Sequence, residues 1–315
     1  MRKIIIDTDL ASDDAAAIML ATQTSDVEIL GITVVAGSAD LQQTTKNALM
    51  VMEVCDCEIP VFMGAVKPLM HEKMEMISIN GKDNMGDCGL INPTRKAEEK
   101  TASQFIIDMV SKYPNEVEII ALGHVTNIAL AIASNPETMK KVKRIWSMGT
   151  PGLGVGNVTP VAECNVYMDA ESYKIMLDSG IPTTIIGFDL CLGNNALYEK
   201  DLIDCANGNQ MSQFLEKATR KLLEFNKTAH NSYMVNLPDA VAMACVLWPN
   251  FIEKSKECYC KVCTILNETY GQVIFYQKGV TYESKPKIGP YNVTLVTKVQ
   301  ENVFTRKFLD SILKR

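Results

Sequence analysis

The sequence predicts an α/β fold built on a single open, mainly parallel sheet with helices on both faces. Three observations predict it. Short apolar, often β-branched runs alternate with stretches of helical period along most of the chain. Such runs read as strands buried on both faces, and parallel strands need helical crossovers between them. Apolar residues make up 47% of 315, enough for a large core. No internal repeat, low-complexity tract or Pro/Ser/Gly linker divides the chain. Residues 1–315 are therefore expected to form one domain, as α/β chains of this length often do.

The elements follow in order. Ile4-Ile5-Ile6 reads as the first strand, followed by a loop and a helix over Ala15–Ala21. Glu28–Val35 reads as a strand and Thr44–Val54 as a helix; Val117–Leu122 is a strand with a helix near Asn127–Ala133. Arg144–Met148 and Thr183–Gly187 read as two more buried strands. This core is Rossmann-like. Tyr259–Leu266, Gln272–Tyr276 and Asn292–Val296 read as added C-terminal strands, and Val303–Leu313 as a closing helix. Glycine is dense at 149–156, a loop after a strand. Ligands of open parallel sheets bind outside the carboxyl ends of the strands, so functional residues are expected on the loops that follow strands.

The charge balance excludes several classes. Thirty-one basic residues against 37 acidic give a net charge of −6, which argues against a nucleic-acid partner and against docking on anionic membranes. No apolar run approaches the roughly 18–20 residues that span a bilayer. Three apolar residues after Met-Arg-Lys are too few for a signal-peptide core of about 7–15. A cytoplasmic protein is expected, and the ten scattered cysteines suit free thiols in a reducing compartment. Only Cys258, Cys260 and Cys263 are close together; without a second pair or a nearby histidine, they read as a buried strand and not as a zinc site.

The informative stretch is Asp7-Thr8-Asp9-Leu10-Ala11-Ser12-Asp13-Asp14, directly after the first strand. Asp7 and Asp9 would point to one side of an extended chain. Ser12 reads as a helix N-cap with Asp13 and Asp14 in the first turn. Acids there are favoured by the helix dipole, which accounts for two of them but not for four. No Lys or Arg lies between Lys3 and Lys46, so local sequence offers no counter-charge. Crowded carboxylates raise one another's pKa, and a hard divalent cation with oxygen ligands relieves the repulsion. Asp239, at the start of the apolar run Ala240–Trp248, is a further ligand candidate brought from far along the chain.

These residues resemble the Asp-Thr-Asp-x3-Asp-Asp signature of the nucleoside hydrolases, the inosine–uridine-preferring nucleoside ribohydrolase family. Further stretches are similar in the family's order: Gly37 with Thr44-Thr45-x-Asn47-Ala48, Val61–Ala65, Gly81–Gly86, Ala121–Asn127, Gly156–Asn165 and Asp239–Ala242. The resemblance implies one Ca²⁺ held by Asp9, Asp14, Asp239 and the carbonyl of Thr126, with ribose hydroxyls and a water completing the shell. It implies that Asp13, Asn165 and Asp239 bind the ribose and that Asn157 and Glu163 meet its 5′-hydroxyl. It further implies hydrolysis of a ribosyl C1′–N bond through an oxocarbenium-like transition state, with Asp9 taking the proton of a metal-bound water. A role in purine or pyrimidine salvage, a nucleoside substrate with no nucleic-acid or membrane partner, and a homodimer or homotetramer are the matching expectations.

Three positions depart from the family pattern. Pro238 stands where many members have the histidine that protonates the leaving base; Ser38 and Asn80 replace an Asn and a His. The metal and ribose sites are spared, while activation of the leaving group is altered. His230, nine residues before Asp239, is the substitute acid to consider, and Phe225 and Tyr233 could stack on a base. His124 reads as structural, and His71 lies in a polar stretch before the loop at 81–86. An aspartyl-phosphate phosphatase is disfavoured because Ile91 breaks the second acidic motif after Gly86-Asp87 and Asp13-Asp14 would have no role. The alternative is a calcium-dependent nucleoside- or ribose-binding protein that has lost turnover, which Pro238 makes conceivable.

Overall fold

The structure is a computed structural model; it describes residues 1–72, 74, 77–87, 89 and 91–314, so Cys88 lies outside the described residues. The first half of the chain runs β1 (Arg2–Thr8), α1 (Ser12–Thr22), β2 (Val27–Val34), α2 (Leu41–Val54), β3 (Val61–Met63), α3 (Ala102–Lys112), β4 (Val117–Ala121), α4 (Thr126–Ser134), α5 (Pro136–Met139) and β5 (Arg144–Met148). It continues through α6 (Cys164–Met168), α7 (Ala170–Asp178), β6 (Thr183–Ile186), β7 (Ala196–Tyr198), α8 (Glu199–Ala206), α9 (Gln210–His230), β8 (Met234–Asn236) and α10 (Pro238–Leu247). The chain ends with β9 (Ile252–Val262), β10 (Val273–Gln277), β11 (Val293–Val299) and α11 (Phe304–Leu313).

Nine strands form one sheet in the order β10-β9-β11-β6-β5-β4-β1-β2-β3, and β7 and β8 form a separate antiparallel pair. Only β9 runs antiparallel to its neighbours β10 and β11; the other pairings are parallel. The segment from β6 to β3 has the doubly wound Rossmann order, so the strand order reverses between β1 and β4, the position at which open α/β sheets bind ligands. Side chains alternate across the sheet. Ile4 and Ile6 enter the core under α1, α2, α9, α10 and α11, whereas Ile5 enters the core under α3, α4 and α7.

The expected open α/β sheet is observed, with local differences. The residue at the N-cap position of α1 is Ala11, and Ser12 is already helical, its hydroxyl donating to Asn80 Oδ1 at 2.9 Å. Helix α2 begins at Leu41, capped by Asp40, whose Oδ1 accepts from Gln43 N at 2.8 Å. Strand β9 starts at Ile252, earlier than the apolar pattern indicated, because its first half is solvent-exposed and rich in Lys and Glu. The long helix α9 was not singled out; Asn209 caps it, and left-handed Asn231 ends it. Cys258 and Cys260 are buried in β9, and the nine described cysteines are free thiols. Among the described residues, no helix is long and apolar enough to cross a membrane.

Candidate active site

Two helix N-termini meet at the carboxyl end of β1. Leaving the strand, Leu10 takes a left-handed conformation (φ 37°) and its N–H returns to Thr8 Oγ1 at 3.1 Å, which turns the chain sharply into α1. Asp14 is locked by that turn: Oδ1 accepts from Thr8 Oγ1 at 2.5 Å and Oδ2 from Ala11 N at 2.9 Å. Helix α10 packs beside α1, and Pro238 at its first turn places Asp239 next to Asp13 and Asp14. One oxygen of each of these three carboxylates lies within 4.8 Å of the other two.

No described Lys, Arg or His pairs with Asp9, Asp13, Asp14 or Asp239. Burial and then mutual repulsion raise the pKa of Asp9 and Asp239 far above the usual carboxylate range. Asp13 is pushed up to about 7 by burial and by the Asp14 charge, and Asp14 is raised chiefly by burial. The buried Oδ1 of Asp239 has no hydrogen-bond partner. An unpartnered buried carboxylate oxygen inside an all-oxygen cluster is the donor set that a hard divalent cation satisfies. The residues present therefore fit a divalent metal.

Asp9, on the loop after β1, is not one of these three mutually close carboxylates, although the charges of Asp14 and Asp13 reach it. Its carboxylate is wedged between two backbones: a Cβ on Gly37 would overlap Oδ2, and one on Gly123 would lie 2.8 Å from Oδ1. Asp7 does not join these acids, correcting the expectation of four crowded acids. Asp7 is fully buried, with Oδ1 accepting from Thr33 Oγ1 at 2.5 Å and Asn127 Nδ2 at 2.9 Å. The reason is that Asp7 still belongs to β1, pairing across to Thr33, whereas Asp9 has left the sheet.

The remaining expected residues lie on the segments that follow β4 and β5. Thr126, the first residue of α4, donates its hydroxyl to Asp169 Oδ2 at 2.5 Å, so a contribution to the acidic cluster would come from its main-chain carbonyl. Asn165 donates Nδ2 to Leu122 O at 2.6 Å and to Met148 O at 3.2 Å, tying it to the ends of β4 and β5. With both amide hydrogens committed, Asn165 can meet a sugar only through Oδ1, as an acceptor. Glu163 caps α6, taking N–H bonds from Asn165 and Val166 and, at 3.1 Å, from left-handed Thr150; burial pushes its pKa up to about 7. Exposed Asn157 accepts from Cys164 N at 3.0 Å, leaving its Nδ2 as the donor.

His230 is exposed at the end of α9, its ring edge-on to Phe225 at 5.5 Å, and no described hydrogen bond links it to the acids. Tyr233 is exposed beneath Lys227. His124 is fully buried between Ala36 O at 2.5 Å and Thr126 Oγ1 at 2.8 Å, in keeping with a structural role. His71 pairs with Glu171 at 3.0 Å. A surface groove of about 580 Å³ between α9 and Gly86, Asp87, Gly89 and Ile91 is lined by none of the clustered acids. Sequence reasoning missed Asp169, which holds Thr126; the available signal was its capping position three residues before Ser172.

Comparison with known proteins gives the family. The sequence profile of the inosine-uridine preferring nucleoside hydrolases matches residues 4–306. The chain is 35% identical to uridine nucleosidase 1 of Arabidopsis thaliana over 257 residues, covering 81% of this chain and 76% of the relative. It is 31% identical to a pyrimidine-specific ribonucleoside hydrolase of Shigella sonnei, covering 94% of this chain and 93% of the relative. The fold superposes on a purine-preferring ribonucleoside hydrolase from Gardnerella vaginalis with a TM-score of 0.89 at 27% identity, covering 99% of this chain and 98% of that one. With its signature acids gathered where the sheet order reverses, the chain belongs to the inosine-uridine preferring nucleoside hydrolase family.

Proposed function

We propose that this protein hydrolyses the N-glycosidic bond of ribonucleosides in a calcium-dependent reaction, releasing free base and ribose. The observation that carries the reading is the unpartnered Asp239 Oδ1 within the Asp13–Asp14–Asp239 cluster, next to Asp9 at the switch point between β1 and β4. Asp9, Asp14, Asp239 and the Thr126 carbonyl would hold the calcium, which when bound supplies a water of lowered pKa and a template for the sugar diol. Asp9 would take the proton of the attacking water, because Gly37 and Gly123 fix its carboxylate and no described cation competes for it. Asp13 and Asn165 Oδ1 would accept hydrogen bonds from ribose hydroxyls, and Asn157 and Glu163 would meet the 5′-hydroxyl. As positive charge develops on the ribose ring, the surrounding carboxylates stabilise it electrostatically.

The relatives named above include pyrimidine-specific and purine-preferring enzymes, so the base is a matter for assay. A panel of nucleosides scored for released reducing sugar tests the reaction. Uridine should be cleaved at least about a hundredfold better than 2′-deoxyuridine, because a site built to bind a hydroxyl leaves buried polar groups unpaired without it. Comparable kcat/KM for the two would contradict the placement of the diol. Pro238, which has no proton to give, favours a second reading as a binding protein. Calcium-dependent nucleoside binding with no ribose released would establish it.

A further inference from the structure

One buried carboxylate outside the acidic cluster gathers donors from three separate segments. Asp169 is 0% exposed. Its Oδ2 accepts from Thr126 Oγ1 at 2.5 Å, from Leu69 N at 3.0 Å and from Ser172 Oγ at 2.5 Å. Its Oδ1 accepts from Ser172 N at 3.0 Å, which caps α7. A helix cap needs only the last of these bonds. The partners outside α7 belong to the start of α4 and to the chain that leaves β3.

Later in the same connection, Asn80 accepts from Ser12 at 2.9 Å beside Asp13. Asp83 follows, and its carbonyl accepts from Asn47 Nδ2 at 2.8 Å; the same Nδ2 donates to Leu10 O at 3.1 Å. The chain at Leu69 is fastened a second time close by. His71 pairs with Glu171 Oε1 at 3.0 Å, and the Tyr270 hydroxyl donates to Glu171 Oε2 at 2.8 Å. The two fastenings fall on the N-cap and the second residue of α7.

We propose that Asp169 is a positioning residue that sets the Thr126 main chain and the chain at Leu69 with one carboxylate, and so tunes the affinity of the metal site. The inference rests on the reading of Thr126 as a carbonyl ligand. A carbonyl cannot be removed by substitution, but its direction is set by the side chain that anchors the residue. The Thr126 hydroxyl is that anchor, and the fully buried Asp169 is its acceptor. Partners of this kind, one bond behind a metal ligand, typically contribute about 10–100-fold in metal affinity.

Calcium titration of the metal-stripped full chain by calorimetry, with melting of the metal-free protein in parallel, tests this. Asp169→Asn and Thr126→Val should each weaken calcium about 10–100-fold. Thr126→Ser keeps the hydroxyl and should recover wild-type affinity. Where Asp169→Asn does not fold, the Val and Ser variants at 126 decide by themselves. Wild-type affinity in Thr126→Val, even with a lowered melting temperature, would make the network merely structural and overturn the inference. A wild-type chain that takes up no calcium would instead overturn the underlying assignment of the ligands.

Discussion

Gly123, two residues past the end of β4, lies flush against Asp9: a Cβ there would sit 2.8 Å from both the main-chain N and Oδ1 of Asp9. The contact spans the point where the strand order reverses, so the two halves of the sheet meet at the residue proposed as base. Gly123 is not among the positive-φ residues, so its requirement for glycine is steric. Gly123→Ala should displace the Asp9 carboxylate. Overpacking of this kind costs about 1–3 kcal/mol in stability, while about 1 Å of misplacement can cost roughly 10² in rate. A variant that melts lower but retains kcat would show that Asp9 tolerates the shift and is not the base.

Metal content gives a direct check on the acidic cluster. The wild-type chain should hold one calcium per molecule, and Asp14→Ala should lose it. Calcium at about a hundredfold over Kd should stabilise the wild type by about 2.7 kcal/mol and the variant by much less. Equal calcium content in both proteins would remove Asp14 from the ligand set.

Activation of the leaving group is the altered part of the site. Pro238 opens α10 and has no side-chain proton, and general acid catalysis typically supplies about 10²–10⁴-fold. Nitrophenyl riboside, whose leaving group needs no proton, should therefore be cleaved much faster than inosine or uridine. If His230 is the substitute acid, His230→Ala should slow only the natural nucleosides. Its exposed position requires it to be brought over the bound base by the end of α9. Similar rates for inosine and the activated riboside would reveal a competent acid elsewhere.

Stability in acid should depend on Glu118, at the opposite end of the sheet. Burial would raise its pKa, but hydrogen bonds from Arg2 at 2.7 Å, Trp146 at 2.8 Å and Lys143 at 3.0 Å outweigh burial and pull it down to about 2. A depressed carboxylate stabilises the fold above its unfolded pKa. That contribution is lost as pH falls from about 4.5 through about 2. Glu118→Gln should cost about 1–3 kcal/mol at pH 7, below the range for fully buried pairs because Arg2 and Lys143 are partly exposed. The difference from wild type should shrink towards pH 2. A constant difference from pH 7 to pH 2 would rule out the ionised pairing as its source.

Much was determined by the sequence alone. Isoleucines 4–6, the acids after them and Asp239 before its apolar helix announced an α/β sheet with an oxygen-rich site at a strand end. These signals are local: alternating apolar runs report burial, and four acids without a nearby cation report an unusual site. The amphipathic edge of β9 and the long polar-faced α9 were hidden because half of each faces water. Only the tertiary structure decided which acids act together. Asp7 and Asp9 are two residues apart, yet the sheet claims Asp7 through Thr33 and Asn127 and leaves Asp9 to the crevice. Likewise only the fold brings Asp169 to Thr126 and Gly123 to Asp9, because contacts between residues 43 or 114 positions apart arise from how strands are ordered in the sheet.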